Sequence, residues 1–280
     1  MNKLLLTYVF SLILLIVSMW FAISIGSVKI PISTLWDAKT NPTAHHILWN
    51  LRMPRVVLAG LVGASLALAG AALQGLLKNP LADPYTLGIS SGASVGAVAT
   101  IFFGISLPFS GQFTLPIFSM VGAIVTMVIV ISFARLVDRT MKMETFILTG
   151  IIFSSFLGSC ISLMIALTGE QLRVIMGWIL GSVANRGWSY VQMILPFVII
   201  GLIIIWLNRR ELNALVYGEE KAHYLGVHVK RSKYFILGGA SILTGAAVAV
   251  SGAIGFVGLV VPHMVRAVIG SDHRHVLPIA

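Results

Sequence analysis

The feature that most constrains this chain is a series of long apolar segments that contain no Asp, Glu, Lys or Arg. The first of them, residues 4–25, follows Lys3 directly. About 20 apolar residues in a helix are enough to cross a hydrocarbon layer of roughly 30 Å. Only 10% of the chain is charged, against about 25% in soluble domains. The sequence therefore predicts an all-α, polytopic transmembrane helical bundle.

Eight such segments are predicted to span the membrane. They are residues 4–25, 56–77, 87–107, 115–134, 146–168, 190–207, 234–254 and 256–265. The eighth is short and only Gly255 separates it from the seventh, so it either crosses with shifted boundaries or re-enters. Another run, 174–183, is too short to span and predicts a re-entrant or interfacial helix. The first segment is longer than the roughly 7–15 apolar residues of a secretory signal, so we expect it to be retained; a cleaved signal peptide is the alternative.

The distribution of cations predicts the orientation. With Lys3 in the cytoplasm and the spans alternating, 13 of the 19 Lys and Arg residues are cytoplasmic, as the positive-inside rule requires. If the eighth segment does not cross, Arg266 and Arg274 change sides and the excess becomes weaker. The net charge of +10 thus reflects topology rather than nucleic-acid binding. The predicted external cations are Lys29, Lys39, Arg52, Arg55, Arg173 and Arg186.

Small residues recur at a spacing of four, which places them on one helix face. Such faces allow helices to approach closely in lipid. We predict close packing within one subunit, with a seam between two subunits as the alternative. The clearest stripe is Gly88, Gly92 and Gly96, and a second follows at residues 150, 154 and 158.

Several function classes are disfavoured by residues that the sequence lacks. It has no phosphate-binding Gly-x4-Gly-Lys-Ser/Thr loop, so we expect no ATPase site. The predicted spans carry no ionisable group of the kind that ion-coupled transporters commonly use. The histidines lie near segment ends or in loops, without the carboxylate or cysteine cluster of a metal site, and no nucleophile–base pair of a membrane enzyme is apparent. By elimination, energy would come from a partner ATPase that contacts the long cytoplasmic segment 208–233.

Several motifs, in order along the chain, resemble the FecCD family of permeases. That family serves ABC importers of iron-siderophores, haem and cobalamin. The motifs are LRMPRVVLAG at 51–60, GAALQGLLKNPLADPYTLGISSGA at 70–93, YGEEKAHYLG at 217–226, GAIGFVGLVVPHMVR at 252–266 and DHR at 272–274.

The resemblance assigns roles to particular residues. Arg52 and Arg55 would dock the substrate-binding protein through carboxylates on its lobes; the alternative is two interfacial cations at a helix start. The start of the fifth span would form an inner gate, although Met143 is bulkier than the small polar residues usual there. The gate residues are Met143, Glu144 and Thr145. The coupling residues, which would sit in a cleft of the ATPase, are Glu219, Glu220, Lys221, Ala222 and Gly226.

The resemblance also implies the organisation of the whole protein. Residues 1–280 would form one permease domain with a cytoplasmic coupling segment at 209–233. The family's fold has ten helices, so its last part would be missing from this chain. The expected partners are an ABC ATPase, a periplasmic or lipid-anchored binding protein, and a second permease copy or close relative. We expect a bacterial cell membrane location with a cytoplasmic N-terminus. This chain would bind no cofactor itself, while ATP and Mg²⁺ would be used by the ATPase. An iron-siderophore is the first expected cargo, haem the second and cobalamin the third.

Overall fold

The computed structural model describes residues 3–26, 28, 30–31, 34, 41–108, 111–138 and 142–280, and contains helices but no strand within that part of the chain. The predicted external cations Lys29 and Lys39 lie outside the described residues. The α-helices are α1 (Lys3–Ser24), α2 (Pro42–His46), α3 (Met53–Leu77), α4 (Ile89–Phe102), α5 (Thr114–Val137), α6 (Met143–Leu167), α7 (Leu172–Ile179), α8 (Trp188–Leu207), α9 (Arg209–Val216), α10 (Glu219–Tyr224), α11 (Val229–Ser251), α12 (Val257–Ile269) and α13 (His273–Ile279). A π-helical stretch, Ile47–Arg52, leads into α3.

Six helical stretches of the described chain are long and apolar enough to cross a membrane, whereas eight spans were predicted. The third and eighth predicted segments form shorter helices, α4 with 14 residues and α12 with 13. At 1.5 Å per residue each is about 20 Å long. Both follow irregular backbone with left-handed residues, Gly88 before α4 and Gly252 and Phe256 before α12. The prediction of eight full-length spans is therefore not supported. The six stretches are Lys3–Ser24, Pro42–Leu77, Gly111–Val137, Met143–Leu167, Trp188–Leu207 and Val229–Ser251.

Helices α3 and α11 form the centre of the bundle, and α1 stands at its edge. From Ser65 to Leu77 every residue of α3 is buried, while no residue of α1 is buried. Two polar contacts hold α1 at its ends. The Arg52 guanidinium donates to the carbonyl of Ile23 at 3.0 Å, and the Tyr8 hydroxyl lies 3.2 Å from Nδ1 of His275. The Arg52 contact satisfies a carbonyl that the end of α1 leaves without a helical partner.

The glycine stripe of α4 packs against neighbouring helices of the same chain. A Cβ added to Gly92 would lie 2.1 Å from Oγ1 of Thr126, and one added to Gly96 would lie 2.2 Å from the carbonyl oxygen of Phe118. Both contacts are with α5. Gly88, with φ of 80°, lies between α5 and α6: a Cβ added there would be 3.5 Å from the carbonyl oxygen of Gly150 and 3.5 Å from Cγ2 of Thr126. The space beside Gly92 and Gly96 therefore admits no side chain on α4, and α5 packs directly against its backbone.

Arg266 was predicted to follow the eighth segment, 256–265, and instead lies in the last turn of α12. The helix continues to Ile269, so this cation is carried beside α3. Its guanidinium donates to the carbonyl of Ala71 at 2.9 Å and to the side-chain oxygen of Gln74. Gln74 in turn donates to the carbonyl of Gly258 at 3.2 Å. Polar partners on α3 make the charge tolerable at this position.

Candidate functional site

The cytoplasmic coupling segment folds as two short helices anchored by apolar side chains. Leu212 and Leu215 of α9 and Ala222 of α10 are buried. Between the helices Gly218 adopts φ of 112°, a conformation that L-residues with a side chain rarely adopt. The glycine therefore allows the sharp turn that sets α10 against α9.

A Schellman motif ends α10. The N–H of Val227 donates to the carbonyl of Ala222 at 3.0 Å, and the N–H of Gly226 donates to that of His223 at 2.9 Å. This pair of bonds requires a left-handed residue at the first position after the helix cap, and Gly226 has φ of 83°. Two of the predicted coupling residues, Ala222 and Gly226, thus shape and anchor the helix rather than present side chains to a partner.

An ion pair joins α10 to the base of α11. Nζ of Lys233 lies 2.7 Å from Oε2 of Glu219; the lysine side chain is fully buried, while the glutamate side chain is 40% exposed. In the sequence, Lys233 counts only as one of the predicted cytoplasmic cations. Its spacing from the buried residues Ile236, Leu237 and Ala240, at three, four and seven positions, places it on the core face of α11. This spacing is the sequence feature from which the burial of Lys233 could have been predicted.

The outer face of α10 combines charge with exposed apolar surface. Glu220 and Lys221 are exposed. Tyr224 is 81% exposed and Leu225 is 68% exposed. Large apolar side chains beside exposed charges, outside the long apolar helices, are typical of a surface that binds another protein. We refer to Glu220, Lys221, Tyr224 and Leu225 as the coupling surface.

A second polar cluster attaches α9 to α13. The Asn213 amide donates to Oδ1 of Asp272 at 2.6 Å and its oxygen accepts from the N–H of His273 at 2.9 Å. Burial raises the pKa of Asp272, but bonds from the Arg274 N–H and from Asn213 lower that pKa below its usual value overall. Burial, aided by the charge of Arg266, lowers the pKa of His273 to about 4. His273 is therefore neutral at physiological pH.

On the opposite end of α3, the two predicted docking arginines have different surroundings. Arg52 is half-buried and also bonds to the carbonyl of Ser24 at 3.3 Å, besides that of Ile23. Arg55 is exposed and makes no hydrogen bond or ion pair with the described residues. A third cation, Arg186, lies near them and stacks its guanidinium 4.7 Å from the ring centre of Tyr190. Arg55 is the better placed of the predicted pair to meet a partner.

The predicted inner gate lies at the first turn of α6. Met143 is half-buried against the core, Glu144 is exposed and Thr145 is half-buried. Most of α6 faces outward, since only Phe146, Thr149 and Gly150 are buried. The gate role remains a prediction for these residues. In the described part of the chain, no group of three or more His, Cys, Asp or Glu is arranged to hold a metal ion.

Comparisons with known proteins agree with the architecture. The model of the FecCD transport family matches residues 14–280. An uncharacterized ABC transporter permease, YvrB of Bacillus subtilis, is 54% identical over 98% of this chain and 80% of its own length. The hemin transport permease HmuU of Yersinia pestis is 42% identical over 96% and 80%. A solved metal-chelate type ABC transporter in an inward-facing conformation superposes with a TM-score of 0.86 at 28% identity, covering 96% of this chain and 83% of its own.

Proposed function

The chain belongs to the FecCD transport family, and from that premise we propose that it is the membrane-spanning subunit of an ABC importer for an iron complex. A siderophore complex is the first candidate cargo, haem the second and cobalamin the third. Relatives are named as permeases for hemin, Fe(3+) dicitrate and cobalamin. Another relative is named for molybdate, so the test must include several cargo classes.

The coupling surface is the observation that carries this proposal. A transporter without its own nucleotide site needs a rigid element through which a partner ATPase applies force. Helix α10 is short, ends in a fixed Schellman motif and exposes Tyr224 and Leu225 beside Glu220 and Lys221. An ATPase with a cleft that binds α10 would move this helix as a rigid body.

Two connections would transmit that movement into the membrane. The Lys233–Glu219 ion pair links α10 to α11, which packs on α3, α5 and α8. The Asn213–Asp272 bond links α9 to α13, and Arg266 joins α12 to α3. Closure of two ATPases on ATP would displace the coupling helices of two permease copies. The path between the copies would then switch its open side.

At the opposite face a binding protein would deliver the cargo, with Arg55 as its main electrostatic contact. Charged contacts at a rim orient a partner and speed its encounter more than they add affinity. The N-terminus would be cytoplasmic and the protein would reside in the cell membrane. Ion-coupled secondary transport is not favoured, because the relatives belong to ABC importers.

Reconstitution tests the proposal. The permease is inserted into liposomes with a candidate ATPase and binding protein, and ATP-dependent uptake of labelled ferric-siderophore, haem, cobalamin and molybdate is measured. We expect uptake of an iron complex that requires ATP and both partners. Uptake by the permease alone, driven by an ion gradient without nucleotide, would contradict it.

A further inference from the structure

A cleft lies between α1 and α3 at the end of the bundle where Arg52 and Arg55 are found. It encloses about 890 Å³. One wall is α1, which contributes Leu15, Met19 and Ala22, and the other is the first part of α3, down to Gly60. The segment before α8, including Asn185 and Arg186, covers the top. We call this volume the α1–α3 cleft.

The polarity of the cleft changes along the helix axis. Its upper end is lined by Asn50, Arg52, Arg55, Asn185 and Arg186, and the described lining includes no Asp or Glu. From Arg52 to Gly60 is eight residues, so the lower, apolar end lies about 12 Å deeper. A cleft with cations at one end and aliphatic walls below matches a molecule with an anionic head and hydrocarbon tails.

Arg186 and Arg55 supply charge that the described chain leaves unsatisfied. The Nε of Arg186 is buried without a hydrogen-bond partner there, although the guanidinium plane rests on Tyr190. Arg55 is exposed and likewise unpaired among the described residues. Buried guanidinium donors without acceptors are costly, and a phosphate accepts two such donors in a forked geometry.

The position of the α1–α3 cleft beside a lipid-facing helix indicates which class of anion it binds. No residue of α1 is buried, so in a membrane most of this helix faces lipid, and the cleft opens beside it. An apolar gap next to hydrocarbon is filled by acyl chains, while cations at the level of the headgroups attract anionic lipids. We propose that the α1–α3 cleft binds one anionic glycerophospholipid, with its phosphate at Arg186 and an acyl chain between α1 and α3. This goes beyond the transport function and does not depend on it.

The test measures lipid retained by the purified full-length chain, without ATPase or binding protein. The probes are phosphatidylglycerol and, as the uncharged comparison, phosphatidylcholine, with bound lipid counted by native mass spectrometry. Arg186→Gln removes charge, and Gly60→Leu fills the cleft at a position where an added Cβ meets no atom within 4 Å. The matched controls are Arg173→Gln, an exposed cation outside the cleft, and Gly238→Leu, an equally open glycine of α11.

We expect the wild type and both controls to retain phosphatidylglycerol in preference to phosphatidylcholine. Arg186→Gln and Gly60→Leu should each weaken that retention about tenfold, the effect of losing one good contact of roughly 1.4 kcal/mol. Because the two variants act by charge and by volume, misfolding of one leaves the other as a test. Equal retention of both lipids, or unchanged retention in the two variants, overturns the proposal.

Discussion

At the scale of single residues, side chains of the same type have different roles according to what they touch. Lys233 is buried against Glu219, whereas Lys221, twelve positions earlier, is exposed. Arg52 binds the end of α1, whereas Arg55 has no such partner among the described residues. Substitutions in the Lys233–Glu219 ion pair and at Arg52 and Arg55 should therefore distinguish effects on the stability of the chain from effects on its work with partner proteins.

For the ion pair, we expect Lys233→Met to separate ATP hydrolysis from transport. Methionine fills much of the lysine volume, and the Glu219 carboxylate that it leaves is 40% exposed to solvent, so the loss of stability should be small. In reconstituted complexes, ATPase association should persist while uptake falls. Glu219→Gln should instead lower the unfolding free energy by about 1–3 kcal/mol, because the buried lysine loses its carboxylate. Thermal unfolding distinguishes the two variants, and full uptake by Lys233→Met would exclude the transmission role.

For the arginines, Arg55→Glu should weaken capture of the binding protein without changing stability. The effect should be greatest at low salt, where the Debye length is longer. Arg52→Glu should instead release the end of α1 and make the stretch between α1 and α3 more sensitive to limited proteolysis. Pull-down at two salt concentrations and a protease time course measure these effects. Equal capture by the wild type and Arg55→Glu would return Arg55 to the role of an interfacial cation.

At the scale of elements, the short helices matter as much as the long ones. Helix α10 has six residues, too few to be stable alone. It is held by buried Ala222, the Glu219–Lys233 pair and the Schellman motif at Gly226. Helices α4 and α12 are likewise fixed by glycine contacts, since a Cβ on Gly70 of α3 would lie 1.8 Å from the carbonyl oxygen of Gly258.

Gly226→Ala tests the end of α10. An added Cβ would meet no atom within 4 Å, so the cost is conformational, about 1–2 kcal/mol for a left-handed alanine. Association with the ATPase should weaken, while the long helices remain folded. Gly226→Asn is the control, because asparagine tolerates the left-handed region better. Binding measurements that rank alanine equal to asparagine and glycine would show that this backbone geometry is not needed.

At the scale of the whole molecule, polar contacts near the C-terminal elements connect distant parts of the chain. His275 of α13 reaches Tyr8 of α1, and the cluster around Asp272 reaches Asn213 of α9. His273 itself packs on α3, since a Cβ on Gly75 would lie 2.3 Å from its Nε2. Helix α13 thus connects α1, α3 and α9 on the side of the bundle where the coupling segment lies.

This arrangement predicts loss of stability in mild acid. The folded pKa of His273 is about 4, against an ordinary value of 6.5, so between these values the unfolded chain binds more protons than the folded one. Stability should therefore fall as pH decreases from 6.5 to 4, by at most about 3 kcal/mol. The lowered pKa of Asp272 adds a loss in the same direction at still lower pH. Thermal unfolding of the purified chain should show the slope, and His273→Gln should flatten it; an unchanged slope in that variant would assign the effect to other groups.

The sequence by itself determined the class of molecule. A helix of about 20 apolar residues satisfies its own backbone and is long enough to cross a membrane, and that rule depends only on local composition and length. The motifs, in their order along the chain, likewise indicated the FecCD family. The same motifs also marked Arg52, Arg55 and the segment around α10 as candidate contact sites for partner proteins.

The tertiary structure decided which polar side chains meet and how long the helices are. Lys233 and Glu219 are 14 positions apart, Arg266 and Ala71 are 195 apart, and Arg52 and Ile23 are 29 apart. No local pattern fixes such pairs, because a buried charge is stable only if a distant segment supplies its partner. In the same way, α4 and α12 are short because each begins only after irregular backbone, with left-handed Gly88 before α4 and left-handed Gly252 and Phe256 before α12. Local hydropathy cannot report that arrangement.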